Sequence, residues 1–316
     1  MIDQKLRPYL NFEYERFVWA AEEGMMAKIN AGEQLTTREE MTKEYYDELV
    51  WLLVAQMDSE YAGAYGYMPI TFIAPRFAAS ELKGVPGIVY DEFTHGNRIR
   101  DVLNLVGFNA DKWVEDHHLY YDIRLEQNEP MPHERPTEDL RVNIFYYDLV
   151  FPIGTPKDFI SSLPDFDLIT WINFGIFQFL QDRGAGEQIR DTLKSSFAPW
   201  AHENGKTMRE ENKHIRHGDM WMARLFKEYP ELVQQQFDLW WPRSLATFGK
   251  PKSARNDLWR KLGLKRRTNE EVLRAFLDRT EEPVGLQIAN ESVGLKIPTT
   301  EETLAIWREG KFLEQV

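Results

Sequence analysis

The chain contains 316 residues, and 38 Lys and Arg against 51 Asp and Glu give it a formal net charge of −13 at pH 7. This charge argues against nucleic acid as the main partner, because neutralising phosphates requires a basic surface. Cysteine is absent, which excludes disulfides, iron–sulfur clusters and thiol nucleophiles. Any metal held by the chain must therefore be bound by His, Asp and Glu.

The apolar segments predict neither a secretory signal nor a membrane span. The first residues, MIDQKLRPYLNF, contain no apolar stretch of the kind found in secretory signals. The most apolar run, residues 168–180, is too short to cross a bilayer and is interrupted by Thr170 and Asn173. We therefore expect a cytoplasmic protein, whose 43% of hydrophobic residues form a packed core.

Helical periodicity dominates the first third of the chain. One helix is predicted over residues 10–31. Thr37 and Glu40 have the spacing of a capping box, which predicts that Thr37 opens a second helix. A third helix is predicted to follow Pro86 and to end near Gly107. The apolar faces of the second and third helices carry these residues: Leu49, Leu52, Leu53, Gln56 and Glu60, then Ile88, Glu92, His95, Ile99, Val102 and Val106.

Prolines and a short apolar alternation distinguish the middle of the chain. They predict an irregular insertion near residues 115–160, with a strand or extended arm at about 140–151. Helical spacing then returns over three further predicted helices: residues 165–182, 201–228 and 231–248, the last interrupted at Pro242. The pattern as a whole predicts an all-α fold.

Two Glu-x-x-His pairs are the first indication of chemistry. They are Glu92–His95 and Glu211–His214, and each falls within a predicted helix. Residues three apart lie on one face of a helix, so each pair offers a carboxylate and an imidazole to one metal. Carboxylate-bridged di-metal bundles take one such pair from each of two helices and one carboxylate from each of the other two.

A carboxylate upstream of each pair completes this pattern. Two antiparallel helices and their turn place the partner about 30 residues earlier, where Glu60 precedes Glu92 and Asp182 precedes Glu211. Taken singly, Glu60 and Asp182 are equally well explained as solvated charges at helix ends. Taken together, four carboxylates on apolar faces would be costly to bury without cations. A third pair, Glu115–His118, has no such upstream carboxylate and is interpreted as a surface pair.

Acidic residues directly precede the glutamates of both pairs. Asp91 and Glu210 are each placed to accept the free imidazole N–H of the opposite half-site, which would fix the histidine tautomer. The alternative is that they are ordinary surface acids.

Several longer stretches extend these motifs into a family pattern. They are DSEYAG at 58–63, DEFTHG at 91–96, FAPWA at 197–201, EENKH at 210–214, DLWWPRSLATFG at 238–249, RRTNEEVLRAFLDRT at 266–280 and AIWREGKF at 305–312. On these residues the chain resembles the catalytic A subunits of ring-1,2-phenylacetyl-CoA epoxidases, which are ferritin-like di-iron monooxygenases. The resemblance covers both half-sites and the C-terminal third.

The resemblance implies a ferritin-like four-helix bundle with extra helices and a defined ligand set. The metal ligands, which are also the catalytic residues, would be Glu60, Glu92, His95, Asp182, Glu211 and His214. Two iron ions would be the cofactor and O2 the co-substrate, with manganese left open as the metal. NADPH would act only through a separate flavin and iron–sulfur reductase. The resemblance also implies a metal-free structural subunit of similar fold as partner, and epoxidation of the aromatic ring of phenylacetyl-CoA.

A basic run follows the predicted bundle. Between residues 250 and 267 there are eight Lys and Arg and one Asp, and such a run can bind the phosphates of a CoA thioester. The predicted phosphate-binding residues are Lys261, Lys265, Arg266 and Arg267. The alternative is a solvated or partner-facing run of charge.

Two other functions stay open at this point. Since the chain is longer than the family pattern between His95 and Asp182, it could be a related di-iron oxygenase with another substrate. It could also be a non-catalytic ferritin-like scaffold, against which the six intact candidate ligands argue. We expect residues 1–249 to form the bundle and residues 250–316 to form a basic segment and tail packed on it.

Overall fold

The fold is helical throughout the part of the chain that a computed structural model describes, which comprises residues 2, 4–116 and 166–310. The α-helices are α1 Glu22–Asn30, α2 Lys43–Tyr67, α3 Ile70–Ile73, α4 Glu81–Leu105, α5 Ala110–Asp116, α6 Phe166–Phe177, α7 Arg183–Thr192, α8 Ala198–Glu228, α9 Pro230–Ala246, α10 Ala254–Lys261, α11 Asn269–Asp278, α12 Leu286–Asn290 and α13 Thr300–Arg308. A π-helical segment, Gln178–Asp182, joins α6 to α7, and short 3-10 turns lie at Arg7–Tyr9, Tyr14–Arg16, Arg38–Glu40 and Ala74–Arg76.

Strand pairing within the described residues is limited to two isolated bridges, Leu10 with Phe108 and Leu35 with Phe197. The predicted all-α fold is therefore confirmed. The predicted insertion near 115–160, with its extended arm, lies outside the described residues except for its first two positions in α5, and so does His118 of the third Glu-x-x-His pair.

The helix predicted over residues 10–31 is wrong in its first half. Only α1 is α-helical there, and two 3-10 turns precede it. The rings of Phe12 and Trp19 instead pack on Tyr46 of α2, with centroids 5.6 and 5.1 Å away. These aromatic side chains gain more by burial against α2 than by continuing one regular helix.

The start of the second helix is also shifted. Thr37 and Glu40 do form a capping box, but they cap only a 3-10 turn, because Met41 is extended with ψ 146°. The long helix α2 begins at Lys43, where the Thr42 hydroxyl accepts a hydrogen bond from the Tyr45 backbone N–H at 3.2 Å. The capping box predicted at Thr37 and Glu40 is therefore present, but the prediction that it opens the long helix is wrong.

Two prolines lie inside helices rather than at their ends. α4 begins at Glu81 and continues through Pro86, and α9 continues through Pro242. Val85 and Trp241, which adjoin these prolines, are buried in the core. Burial of the surrounding helix thus outweighs the hydrogen bond that each proline removes.

The helix predicted to end at Asp182 continues to Thr192. The π segment Gln178–Asp182 leads directly into α7. Gly184 lies inside this helical unit and serves packing: a Cβ atom there would lie 3.2 Å from Cζ of Phe248. The glycine allows α7 to approach that ring closely.

Four long helical elements form the bundle: α2, α4, α8 and the continuous unit of α6, the π segment and α7. α2 and α4 are antiparallel, because Gly63 faces Glu92 while Tyr61 faces Gly96. This is the predicted ferritin-like arrangement, in which carboxylates from neighbouring helices meet at one depth.

The hydrophobic core has two parts on either side of the bundle centre. One is built mainly from the N-terminal segment, α2 and α4, and the other mainly from α6, α8, α9 and the C-terminal helices. Residues after 249 enter both, with Leu262 and Leu264 in the first and Phe276 and Trp307 in the second. The domain boundary at residue 249 stays a prediction. Among the described helices, none combines the length and the apolar character required to cross a bilayer.

Candidate metal centre

A cluster of buried carboxylates and imidazoles lies at the middle of the bundle. Ligand atoms of Glu60, Glu92, His95 and Glu211 all lie within 4.8 Å of one another. These residues come from α2, α4 and α8, so three helices contribute to one point. Sequence spacing predicted this convergence, and the structure brings these four predicted ligands together.

His95 directs its two ring nitrogens to different carboxylates. Its Nδ1 lies 3.2 Å from Glu211, 3.4 Å from Glu60 and 3.9 Å from Glu92. Its Nε2 lies 3.0 Å from a carboxylate oxygen of Glu210 on α8. The predicted contact between Glu210 and the opposite histidine is therefore present, and it leaves Nδ1 facing the cluster.

His214 repeats this arrangement from the other side. Its Nδ1 lies 3.1 Å from Oε1 of Glu92 and 3.8 Å from Oε2 of Glu211. Its Nε2 lies 3.4 Å from Oδ2 of Asp91. Glu92 and Glu211 each present one oxygen to each histidine, as carboxylates that bridge two metals would do.

The two remaining carboxylates each have one oxygen held by a neighbour. Gln56 donates a hydrogen bond to Oε1 of Glu60 at 3.0 Å, so Oε2 is left facing His95. Tyr67 donates to Oδ1 of Asp182 at 2.8 Å. Oδ2 of Asp182 is buried and has no hydrogen-bond partner among the described residues. Each carboxylate therefore offers a single oxygen to the centre.

Sequence reasoning placed Gln56 on the face that carries Glu60 without giving it a role, and it missed Tyr67, although a signal was present. Gln56 precedes Glu60 by four residues and Tyr67 follows it by seven, and both spacings return to the same face of α2. The π segment that carries Asp182 was also missed. Such segments are frequent at functional sites, but no residue pattern in the sequence predicts them.

The pKa values of the clustered side chains are shifted by burial and by their mutual repulsion. Burial and the charge of Glu211 raise the pKa of Glu92 to about 8 and that of Asp182 to about 7. Burial lowers the pKa of His95, but neighbouring carboxylates, Glu210 first, outweigh it and raise that pKa well above the usual range. The group thus carries more negative charge than its surroundings stabilise.

A pair of divalent cations fits these residues. Nδ1 of His95 and of His214 are buried without a hydrogen-bond partner in the described part of the chain. Four carboxylates carry four negative charges, which two divalent ions would balance. Nitrogen and oxygen donors without sulfur suit iron or manganese. Asp182 and His214 lie outside the tightest group of four. His214 contacts Glu92 and Glu211, and Asp182 interacts electrostatically with Glu211 and His214.

A cavity of about 480 Å³ opens onto this centre. Glu60, Glu92, Asp182 and Glu211 are among its lining residues. Its wall is largely apolar and aromatic, with these members: Trp51, Leu52, Ala55, Phe177, Ile189, Trp200 and Phe248. A pocket of this size and lining can enclose an organic group beside the cluster.

The cavity also reaches the basic segment, where one of the predicted cations and two others line it. Lys265 lines it, and its Nζ donates to Oε1 of Gln188 at 2.7 Å. Lys250 and Arg255 line it as well, and neither was among the predicted phosphate-binding residues. The Arg255 guanidinium lies 3.8 Å from the centroid of the Trp51 ring.

The other three predicted phosphate-binding residues lie elsewhere. Arg267 pairs with the carboxylates of Glu187 at 2.9 Å and Asp191 at 3.3 Å. Lys261 is exposed and pairs with Glu22 at 3.2 Å. The backbone N–H of Arg266 donates to Asp191 at 3.2 Å. In the described part of the chain, these three are absent from the cavity wall.

The fold and the cluster together define a class: an all-α, ferritin-like bundle with a buried carboxylate and histidine centre suited to two metals. Comparison with protein families agrees with this class. The model of the phenylacetic acid catabolic protein family matches residues 26–316, and the chain belongs to that family.

One relative from Escherichia coli K12 has a named activity. Over 147 residues the chain is 29% identical to the A subunit of the 1,2-phenylacetyl-CoA epoxidase of that organism. The match covers 44% of each of the two chains, which is less than half the length of the relative.

Proposed function

We propose that the chain is the catalytic subunit of a multicomponent di-iron monooxygenase. Its substrate would be phenylacetyl-CoA, or a related aryl- or acyl-CoA, and its product the ring epoxide. The supporting observation is that two Glu-x-x-His pairs direct orphaned Nδ1 atoms to one buried point at the end of an organic-sized cavity. Family membership and the name of the relative support the same class of reaction.

Six residues would hold the metals. The six would be Glu60, Glu92, His95, Asp182, Glu211 and His214, with Glu60 nearest His95, and with Glu92 and Glu211 each near both histidines. Bound iron would supply the redox levels needed to reduce O2 and transfer one oxygen atom. The hydrogen bonds from Gln56 and Tyr67 each hold one of these carboxylates with a single oxygen directed inward.

The cavity would orient the substrate and exclude water. Its aromatic and aliphatic wall suits a planar apolar ring placed beside Glu92 and Asp182. One atom of O2 would add across a ring C=C bond, and the other would leave as water, with two electrons and two protons consumed. By limiting the access of water, the apolar wall would protect the epoxide from hydrolysis.

The other end of the cavity would take the anionic part of the substrate. Lys265 is the predicted phosphate-binding residue that faces the cavity. Burial lowers the pKa of Lys265, and no carboxylate lies within ion-pair distance of it in the described ranges. A phosphate or thioester oxygen would supply this partner. We therefore propose Lys265, with Lys250, as the CoA-facing cations, whereas Arg255 on the same wall already pairs with Glu48 at 2.8 Å.

Electrons would come from outside the chain. With no cysteine for an iron–sulfur cluster, the chain would depend on a separate flavin and iron–sulfur reductase that oxidises NADPH. We also propose a metal-free structural subunit of similar fold as partner, since the relative is itself named as one component of an epoxidase. The cytoplasmic location stays a prediction.

The test is metal analysis followed by turnover. Protein grown in iron-rich medium should contain two irons per chain, and phenylacetyl-CoA should stimulate NADPH oxidation when the matching reductase is present. If only a different CoA ester or another substrate is consumed, the chain is a related oxygenase. If neither iron nor manganese is retained, the chain is a scaffold and the proposal is wrong.

A further inference from the structure

The two histidines of the centre are held by different hydrogen-bonding partners. Each directs Nε2 to a carboxylate on the facing helix, His95 to Glu210 and His214 to Asp91. The distances are 3.0 and 3.4 Å, respectively. The aspartate is one methylene shorter than the glutamate, so it reaches less far across the space between α4 and α8.

Behind His95, the carboxylate of Glu210 is itself held by a further residue, Arg98. The guanidinium of Arg98 donates two hydrogen bonds to Glu210, from Nη1 to Oε2 and from Nη2 to Oε1 at 3.1 Å. Nη1 of Arg98 also lies 3.4 Å from the hydroxyl of Thr207. The Arg98 side chain is only 18% exposed. A planar guanidinium bonded to both oxygens fixes the orientation of the carboxylate.

The support behind His214 is weaker. Besides His214, Asp91 pairs among the described residues with Lys213, whose Nζ lies 4.0 Å from Oδ2. Its side chain is 62% exposed and must be held in place at an entropic cost. The site therefore has approximate twofold symmetry in its ligands but not in what holds them.

We propose that Arg98 is a positioning residue that makes the metal position at His95 the tighter of the two. A clamped Glu210 holds the His95 ring with Nδ1 directed at the centre before any metal arrives, so less motion is lost on binding. The His214 ring is held less firmly and therefore loses more motion when a metal binds. The inference rests on the proposed function only in that the centre binds two divalent metals.

The test is a titration of metal-free protein with Mn²⁺, followed by electron paramagnetic resonance and calorimetry. In the unaltered protein, one equivalent should give mostly the signal of isolated Mn²⁺, because one position fills first. A second equivalent should replace that signal with that of a coupled pair. Arg98→Ala should weaken the tighter step by about tenfold and lower the share of isolated Mn²⁺ at one equivalent.

Two further variants separate positioning from charge and from folding. Arg98→Lys keeps the charge but cannot form two parallel bonds, so it should restore only part of the lost affinity. Lys213→Ala, the matched change behind His214, should leave both steps unchanged. Equal affinities in the unaltered protein, unchanged constants in Arg98→Ala, or full rescue by lysine would each overturn the inference. Failure of the unaltered protein to bind any Mn²⁺ or iron would overturn the proposed function as well.

Discussion

The bundle centre and the basic segment at 250–267 are both rich in charged residues, but they differ in whether those residues have partners within the chain. At the centre, buried ligand atoms such as Nδ1 of His95 and Oδ2 of Asp182 have no hydrogen-bond partner within the described residues. In the basic segment, Arg267 and Lys261 already pair with carboxylates of the same chain. Buried carboxylate and imidazole atoms that converge without partners therefore distinguish the bundle centre from the basic segment, where Arg267 and Lys261 are already paired.

The strongest test of this comparison removes a bridging ligand. Glu92→Ala takes one oxygen from each histidine position, so metal content should fall below one ion per chain and turnover should be lost. His214→Ala should remove metal from its own position and also stop oxygenation. Metal analysis and coupled NADPH oxidation measure both results.

A matched control exists in the third Glu-x-x-His pair. Glu115 is exposed at the end of α5, and Glu115→Ala should retain full metal content and turnover. Retained turnover in Glu92→Ala or His214→Ala would show that the cluster is not the reactive centre.

The second test asks whether Arg267 is structural. Glu187 and Asp191 are almost fully buried. Arg267→Ala would leave Asp191 without its ion-pair partner and Glu187 with only Arg190 at 3.1 Å and Arg279 at 3.7 Å. The free energy of unfolding should fall by about 2–3 kcal/mol, less than for a fully buried pair because Arg267 is itself a quarter exposed. Urea denaturation measures this.

For the metal-loaded, folded protein, KM for the CoA ester should not change in Arg267→Ala. A large rise in KM with unchanged stability would place Arg267 in the substrate site and reverse the assignment made from the cavity.

The smallest expected effect concerns Lys265. Lys265→Met keeps the aliphatic stem but removes the charge that faces the cavity, so KM for the CoA ester should rise by about tenfold, with kcat little changed. Lys261→Ala is the control, since that side chain is 57% exposed and pairs with Glu22. Steady-state kinetics with purified reductase would measure both.

Equal effects of the two lysine variants would mean that the basic segment attracts the substrate through net charge alone. An unchanged KM in Lys265→Met would remove Lys265 from the substrate site while leaving the metal centre untouched.

Much of the cluster's geometry could be predicted because helix geometry alone relates its residues. Three-residue spacing places Glu92 and His95 on one face, and a separation of about 30 residues brings Glu60 to the same depth on the preceding helix. Asp182 was expected at a helix end, but it lies within a π segment that continues into α7.

The phosphate-binding residues were predicted less well. Lys265 and Arg267 are two residues apart, yet one faces the cavity and the other is held by Glu187 and Asp191, which lie far away in sequence. Local sequence does not reveal such long-range pairing.

The amino-acid sequence by itself determined the all-α class and which side chains share a helix face, because helical periodicity is a local property of the backbone. Only the tertiary structure decided where helices begin and end, as around Pro86 and Asp182, and which cations remain for a ligand. Those outcomes depend on burial against distant segments, and that burial outweighs local propensity.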